Sequence, residues 1–149
     1  MQTDILNIHE EIAEHTDHLL TCLFKELDTL NAHDYKELVS IACEKQTLVK
    51  ILDDLEKKRQ SLVADRNYTD YLNQIDKSET LANQWNSIVE KIKQCHHQNE
   101  INGRLINRFN QITRETLDIF TGNTNNADIT YSPESLKKGI NARITNTRA

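Results

Sequence analysis

Apolar residues recur at steps of three and four along most of this chain, which is the spacing of one face of an α-helix. The first stripe comprises Ile5, Ile8, Ile12, Leu19, Cys22 or Leu23, Leu27 and Leu30. The second, with two charged interruptions, comprises Leu38, Ile41, Lys45, Leu48, Leu52, Leu55, Arg59 and Leu62. A third runs from Leu81 to Phe120. With only three glycines and one proline to break helices, the pattern predicts an all-α protein, an antiparallel bundle or coiled coil of about three long helices.

Local signals place the ends of these helices. Asp34 followed by Glu37 has the spacing of a capping box and predicts the start of the second helix. We expect helices at about 4–30, 35–64 and 70–120, which together form one bundle, 1–120. The start of the third helix stays open between Thr69 and Ser78, because the intervening segment "DRNYTDYLNQIDKS" is mostly polar.

The composition changes at the end of the third stripe. Residues 121–149 are polar and nearly without core-forming side chains, so they cannot bury enough apolar surface to offset the entropy of ordering. We expect a flexible C-terminal tail. Within it, Ser132, Pro133 and Gly139 have the order of a helix start and stop, which predicts a short helix that forms when a partner binds.

Charge and composition exclude several classes of protein. The formal net charge is −5 and basic residues alternate with acidic ones, so no basic surface for nucleic acid is expected. The longest apolar run, "LLTCLF", is too short to cross a membrane, and the N-terminus is acidic where a signal peptide would be basic. We therefore expect a cytoplasmic protein. Its cysteines, Cys22, Cys43 and Cys95, are widely separated and predict reduced, partly buried thiols.

Two histidine and cysteine groups are candidate metal sites. Cys95, His96 and His97 are consecutive, and side chains at consecutive helix positions diverge by about 100°, so they cannot converge on one ion unless the helix breaks there. His15, His18 and Cys22 have better spacing, but a polar helix face explains them as well. We expect no metal and no cofactor.

The sequence also disfavours two kinds of chemistry. Phosphate transfer through His96 or His97 is disfavoured because Glu100 lies nearby and would repel a phosphate. The chain has no nucleophile elbow, P-loop or dinucleotide glycine pattern, so we expect no catalysis.

The third stripe contains an unusual polar centre. Asn99, Asn102 and Gly103 fall on the apolar face, where a helix-interior glycine costs about 1 kcal/mol relative to alanine. Two interpretations stay open: a polar layer that sets helix register, or a partner-binding surface. The same choice applies to the apolar residues that follow, Ile106, Phe109, Ile112, Leu117, Ile119 and Phe120.

Four segments together resemble the FlgN family of flagellar type III export chaperones. They are "EKQTLVKILDDLEKKR" (44–59), "QWNSIVEKI" (84–92), "QNEINGRLI" (98–106) and, in the tail, "ITYSPES" (129–135). The most specific element is Asn99-x-x-Asn102-Gly103-x-Leu105-Ile106, followed by Tyr131. The tail departs from the family pattern, since Ser132, Pro133 and Glu134 stand where glycines commonly follow the tyrosine.

The resemblance implies a non-enzymatic chaperone that binds disordered terminal segments of hook-filament junction proteins, prevents their premature assembly and delivers them to the export gate. It places client binding on the end of the third helix and the tail, and docking on the gate's cytoplasmic domain at Tyr131. The client-binding residues would be Asn99, Asn102, Gly103, Leu105, Ile106, Phe109, Ile112, Leu117 and Phe120. The alternative is a structural coiled-coil adaptor, in which the apolar stripe closes a homodimer without a client.

Overall fold

The computed structural model describes residues 2–63, 67–77 and 79–122, and these residues form four α-helices. The helices are α1 (Gln2–Ala32), α2 (Tyr35–Val63), α3 (Tyr68–Ile75) and α4 (Thr80–Thr121). The predicted all-α class is confirmed. The first two helices also begin and end within two residues of the predicted bounds, 4–30 and 35–64.

A tight turn joins α1 to α2. His33 has the left-handed φ of 56° that often ends a helix, and its N–H donates to the Leu30 carbonyl at 3.2 Å. The Asp34 carboxylate then accepts a hydrogen bond from the Glu37 N–H at 3.1 Å, which caps the start of α2 as predicted. The two helices therefore run antiparallel, and each packs along the other.

The segment predicted as the third helix, 70–120, is divided into α3 and α4, and each of the two predicted starts, near Thr69 and near Ser78, lies within two residues of a helix start in the structure. The Asn67 side chain caps α3 by accepting hydrogen bonds from Thr69 N and Asp70 N. Asp76 then leaves the helical conformation, with φ −130° and ψ 99°, and Glu79 has a positive φ of 60°. The Asp76 carboxylate accepts the N–H of Leu81 at 3.0 Å, so one aspartate both ends α3 and supports the start of α4.

Three apolar clusters lie along α1. The first joins Ile5 to Leu72 of α3 and Leu81 of α4, the second joins Ile12 to Leu55 and Ile88, and the third joins Cys22 to Ile41 and Leu48. Cys22 and Leu23, alternatives in the predicted stripe, are both buried. Helix α1 thus supplies the central face on which the other helices pack. Burial of each large apolar side chain contributes about 1.5–3 kcal/mol.

The three cysteines are free, as expected. Cys22 and Cys95 are buried, and Cys43 is exposed. Burial raises the pKa of both buried thiols, and nearby carboxylates (Glu44 and Glu26 for Cys22, Asp17 for Cys95) add to the shift. The buried thiols are therefore poor nucleophiles.

The chain divides into two compact units, of which the first is Met1–Phe109. The described part of the second is the remainder of α4 and Gly122, whose φ of 68° follows the end of the helix. The predicted division between a bundle, 1–120, and a tail, 121–149, stays a prediction, because most of that tail lies outside the described residues. Among the described helices, none is long and apolar enough to cross a membrane.

Candidate functional site

The motif Asn99-x-x-Asn102-Gly103 places its three residues in different environments. Asn102 is only 1% exposed, and its side-chain nitrogen donates to the Leu23 carbonyl and to Glu26 Oε2, each at 2.8 Å. Its side-chain oxygen accepts a hydrogen bond from Gln98 Nε2 at 2.9 Å. Asn102 therefore points into the bundle and satisfies groups on α1.

A buried ion pair extends this network to α2. Glu26 is 2% exposed, and its Oε1 lies 2.6 Å from Lys45 Nζ. Lys45 also donates to Asn99 Oδ1 at 3.4 Å. A buried carboxylate is costly unless charged and hydrogen-bonding partners surround it, so the three helices must keep the register that brings these groups together. Asn102 thus belongs to a register-setting polar layer, and its direct role in client binding stays a prediction.

The neighbouring motif residues are accessible. Asn99 is exposed, while Gly103, Leu105, Ile106 and Phe109 are half-buried. The Phe109 ring lies 5.0 Å from the His33 ring in the α1–α2 turn. Around Gly103, no atom other than those of its chain neighbours and the local helical backbone lies within 4 Å of the place where a β-carbon would stand.

The end of α4 carries exposed apolar side chains. Ile112, Leu117 and Phe120 are 50%, 56% and 79% exposed. Steps of five and three residues place these side chains on one broad side of the helix. Exposed side chains of this size are candidates for contact with a partner. Tyr131, the predicted docking residue, lies outside the described residues.

The candidate metal ligands have other contacts. Cys95 donates to the Thr16 carbonyl at 3.6 Å and Cys22 to the Ile41 carbonyl at 3.7 Å. His96 is exposed, with Nε2 at 3.6 Å from Glu100 Oε1. Within the part of the chain that the structure describes, no three His, Cys, Asp or Glu residues are placed to hold a metal ion.

Sequence reasoning missed an aromatic cluster around His9. This residue is 1% exposed, its Nε2 is hydrogen-bonded to the Tyr68 hydroxyl at 2.7 Å, and its ring stacks on Trp85 at 5.5 Å. The Arg59 guanidinium lies over Tyr68 and Trp85, 4.1 and 4.6 Å from the ring centroids. These contacts join all four helices.

The two charged interruptions in the α2 stripe are thereby explained. Lys45 pairs with Glu26, and Arg59 lies on the aromatic rings and binds Glu56 through Nε and Nη2 at 2.7 and 2.6 Å. Hydrogen bonds from Arg59 lower the pKa of Glu56, partial burial opposes that shift, and Glu56 in turn raises the pKa of Arg59. A charged residue at a core position of a helical stripe was the signal in the sequence that could have indicated a buried partner for Lys45 and for Arg59.

Sequence reasoning also missed an open groove between α2 and α4. Its volume is about 790 Å³, and α1 forms its floor. Apolar side chains of all three helices line it, including Leu19, Val49 and Ile92. Val49 and Ile92 are 51% and 43% exposed, so this apolar surface is accessible.

The FlgN protein family model matches residues 1–139, which is most of the chain. The chain belongs to the FlgN family. This is the flagellar export chaperone family, whose members bind hook-associated proteins. The comparison with curated proteins and the comparison with solved structures found no match.

Proposed function

We propose that this FlgN-family protein is a cytoplasmic, non-enzymatic chaperone of hook-filament junction subunits. It holds their disordered terminal segments, prevents premature assembly and delivers them to the export gate. The observation that carries the proposal is the family match over residues 1–139, which includes Tyr131 and most of the tail that the resemblance assigns to clients and gate.

The exposed end of α4 supports the client-binding part of the proposal. Ile112, Leu117 and Phe120 offer the apolar side chains that an amphipathic client segment needs in order to fold against a helix. A disordered client loses entropy on binding, so its affinity stays moderate for the area that it buries. Moderate affinity suits a chaperone that must release its client at the gate.

Deletion of residues 121–149 tests the client-binding role of the tail. We expect the truncated protein to bind the terminal segment of a junction subunit roughly tenfold more weakly by titration calorimetry, because part of the interface is lost. Thermal unfolding of the remaining helices should change little. An unchanged affinity would show that the tail takes no part in client binding.

Tyr131→Ala tests the gate-docking role with a separate readout. Client affinity should equal that of the unmodified protein, whereas binding to the gate's cytoplasmic domain and export of the junction subunits should fall. Tyr35→Ala, which removes an exposed tyrosine from α2, is the matched control. Normal export with Tyr131→Ala would remove this residue from the proposed gate contact.

A structural homodimer is the second candidate function. It is favoured by apolar side chains on α2, since Tyr35 and Val39 are 60% and 66% exposed. Light scattering with and without the client segment separates the two functions. A dimer that persists at saturating client would favour the structural role, whereas replacement of the dimer by a chaperone–client complex would favour the export chaperone.

A further inference from the structure

The groove between α2 and α4 has the form of an unfilled helix position. Helix α1 supplies its floor through Leu19 and Leu23, α2 one wall through Val49, and α4 the other through Ile92. Three helices that leave such a space between two of them become a four-helix bundle when a fourth helix occupies it. The groove lies within the first compact unit, and Leu23 in its floor is buried.

Gly103 gives independent support for an external occupant. It lies eleven residues after Ile92 and seven after His96, a spacing that places all three on the same side of α4. Glycine lowers helix stability, and it is usually tolerated where another backbone or side chain comes close. Apart from its chain neighbours and the local backbone of α4, no atom of the described chain lies within 4 Å of the place where its β-carbon would stand, so packing against other helices does not explain the glycine.

The charges that line the groove indicate the chemistry of the occupant. Lys45 is paired with Glu26, and Asp53 accepts a hydrogen bond from Lys57. Lys50, by contrast, has no ion pair among the described residues, although it lines the groove beside Val49. The charge left uncompensated by the chain is thus positive, in a protein of formal net charge −5. An acidic side chain at the edge of an apolar helix face complements it.

We propose that the groove between α2 and α4 binds an amphipathic helix formed by the terminal segment of a client subunit. The apolar face of that helix packs on Val49, Ile92 and Leu19, an acidic residue pairs with Lys50, and Gly103 allows close approach. The inference rests on the proposed chaperone function and deepens it, because it adds a site on α2 and α4 to the exposed end of α4.

Substitutions on α4 test the groove in the full-length protein. The probe is the fluorescently labelled terminal segment of a hook-filament junction subunit, and the readout is its anisotropy. Ile92→Asp should weaken binding at least tenfold, because it places a negative charge in the apolar wall. Ile101→Asp is the matched control, since nine residues at about 100° each put Ile101 on the opposite side of α4. That control should change the affinity less than twofold.

Gly103→Ala excludes misfolding as the cause of weaker binding. Alanine favours the helix and meets no neighbour here, so the melting temperature should rise by roughly 3 °C. Binding should nevertheless weaken about fivefold, because the added methyl group obstructs the occupant. A variant that is more stable yet binds less well cannot be explained by a purely structural role of the glycine.

Lys50→Glu tests the charge of the occupant. It should weaken binding more than Lys50→Gln does, and the difference should shrink at high salt because ions screen exposed charges. Equal effects of the two substitutions would overturn the acidic partner.

The possible outcomes separate this inference from the proposed function. If the unmodified protein binds the segment and Ile92→Asp binds equally well, the groove site is overturned while the chaperone function stands. If the unmodified protein does not bind it, both are overturned. A third outcome concerns the protein without any client segment. If the unmodified protein is then a homodimer and Ile92→Asp dissociates it, the occupant of the groove is a second copy of this chain, and the proposed client helix is overturned.

Discussion

At the scale of single residues, polar side chains set the arrangement of this bundle. Asn102 is enclosed by Leu23, Glu26 and Gln98, and its nitrogen donates to a carboxylate that also binds Lys45. In an apolar stripe, one such residue specifies which layers of adjacent helices face each other, because any slip would leave a buried charge without its partners.

Asn102→Ala should lower the free energy of unfolding by about 2–4 kcal/mol, since it leaves Glu26 and Gln98 short of a hydrogen-bond partner inside the bundle. Urea unfolding followed by circular dichroism measures the change. Asn107→Ala, an exposed asparagine of the same helix, is the control and should cost less than about 0.5 kcal/mol. Similar losses for both variants would contradict a register-setting role for Asn102.

At the scale of helices, α3 depends on contacts from distant parts of the chain. Its eight residues are too few to be stable in isolation. Leu72 and Tyr71 are buried in the first cluster, and Tyr68 is held by His9 of α1 and Arg59 of α2. These contacts with other helices therefore stabilise α3.

The stability of this region should depend on pH through His9. Burial lowers the pKa of His9 below its usual 6.5, the Gln84 side chain partly opposes the shift, and the positive charge of Arg59 adds to it. The unfolded chain therefore binds a proton at a higher pH than the folded protein does. The free energy of unfolding should fall as the pH decreases below about 6.5, until His9 is also protonated in the folded state.

Urea unfolding between pH 7.5 and 5.5 measures this dependence and stays above the range in which Glu56 titrates. His9→Gln should reduce the pH dependence, whatever its effect on stability at pH 7.5. His96→Gln removes an exposed histidine and should leave the dependence in place. If His9→Gln and the unmodified protein lose stability in parallel, burial of His9 is not the cause.

At the scale of the whole molecule, the buried apolar clusters and the exposed apolar end of α4 belong to different units. Every member of the three clusters lies within residues 1–109. Ile112, Leu117 and Phe120 lie beyond that limit and stay exposed. Under the proposed chaperone function, the first unit supplies stability and the end of α4 offers surface to a partner.

A fragment of residues 1–109 should fold by itself. We expect a cooperative thermal transition within about 5 °C of that of the full chain, because every buried cluster is retained. It should also bind the client segment more weakly than the full chain does, since Ile112, Leu117 and Phe120 are removed. A fragment without a cooperative transition would show that later residues are needed for the core.

Sequence reasoning succeeded where one repeating pattern determined the outcome. The α1 and α2 stripes and the Asp34 cap depend on side chains close in sequence, and the two helices of the structure begin and end within two residues of the predicted bounds. The break between α3 and α4 was missed because hydrogen bonds of the Asp76 side chain and backbone compete with a continuous helix. The partners that Lys45, Arg59 and Asn102 have on other helices were missed, because those partners are distant in sequence.

The sequence by itself determined the helical class, the antiparallel α1–α2 pair and the family, because spacing, capping residues and family motifs are properties of the linear chain. The tertiary structure decided which polar residues are buried, where α3 separates from α4, and that α2 and α4 leave a groove over α1. Those features depend on the rotation and separation of packed helices. Rotation and separation result from side chains meeting across helices, and each helix's own periodicity does not specify them.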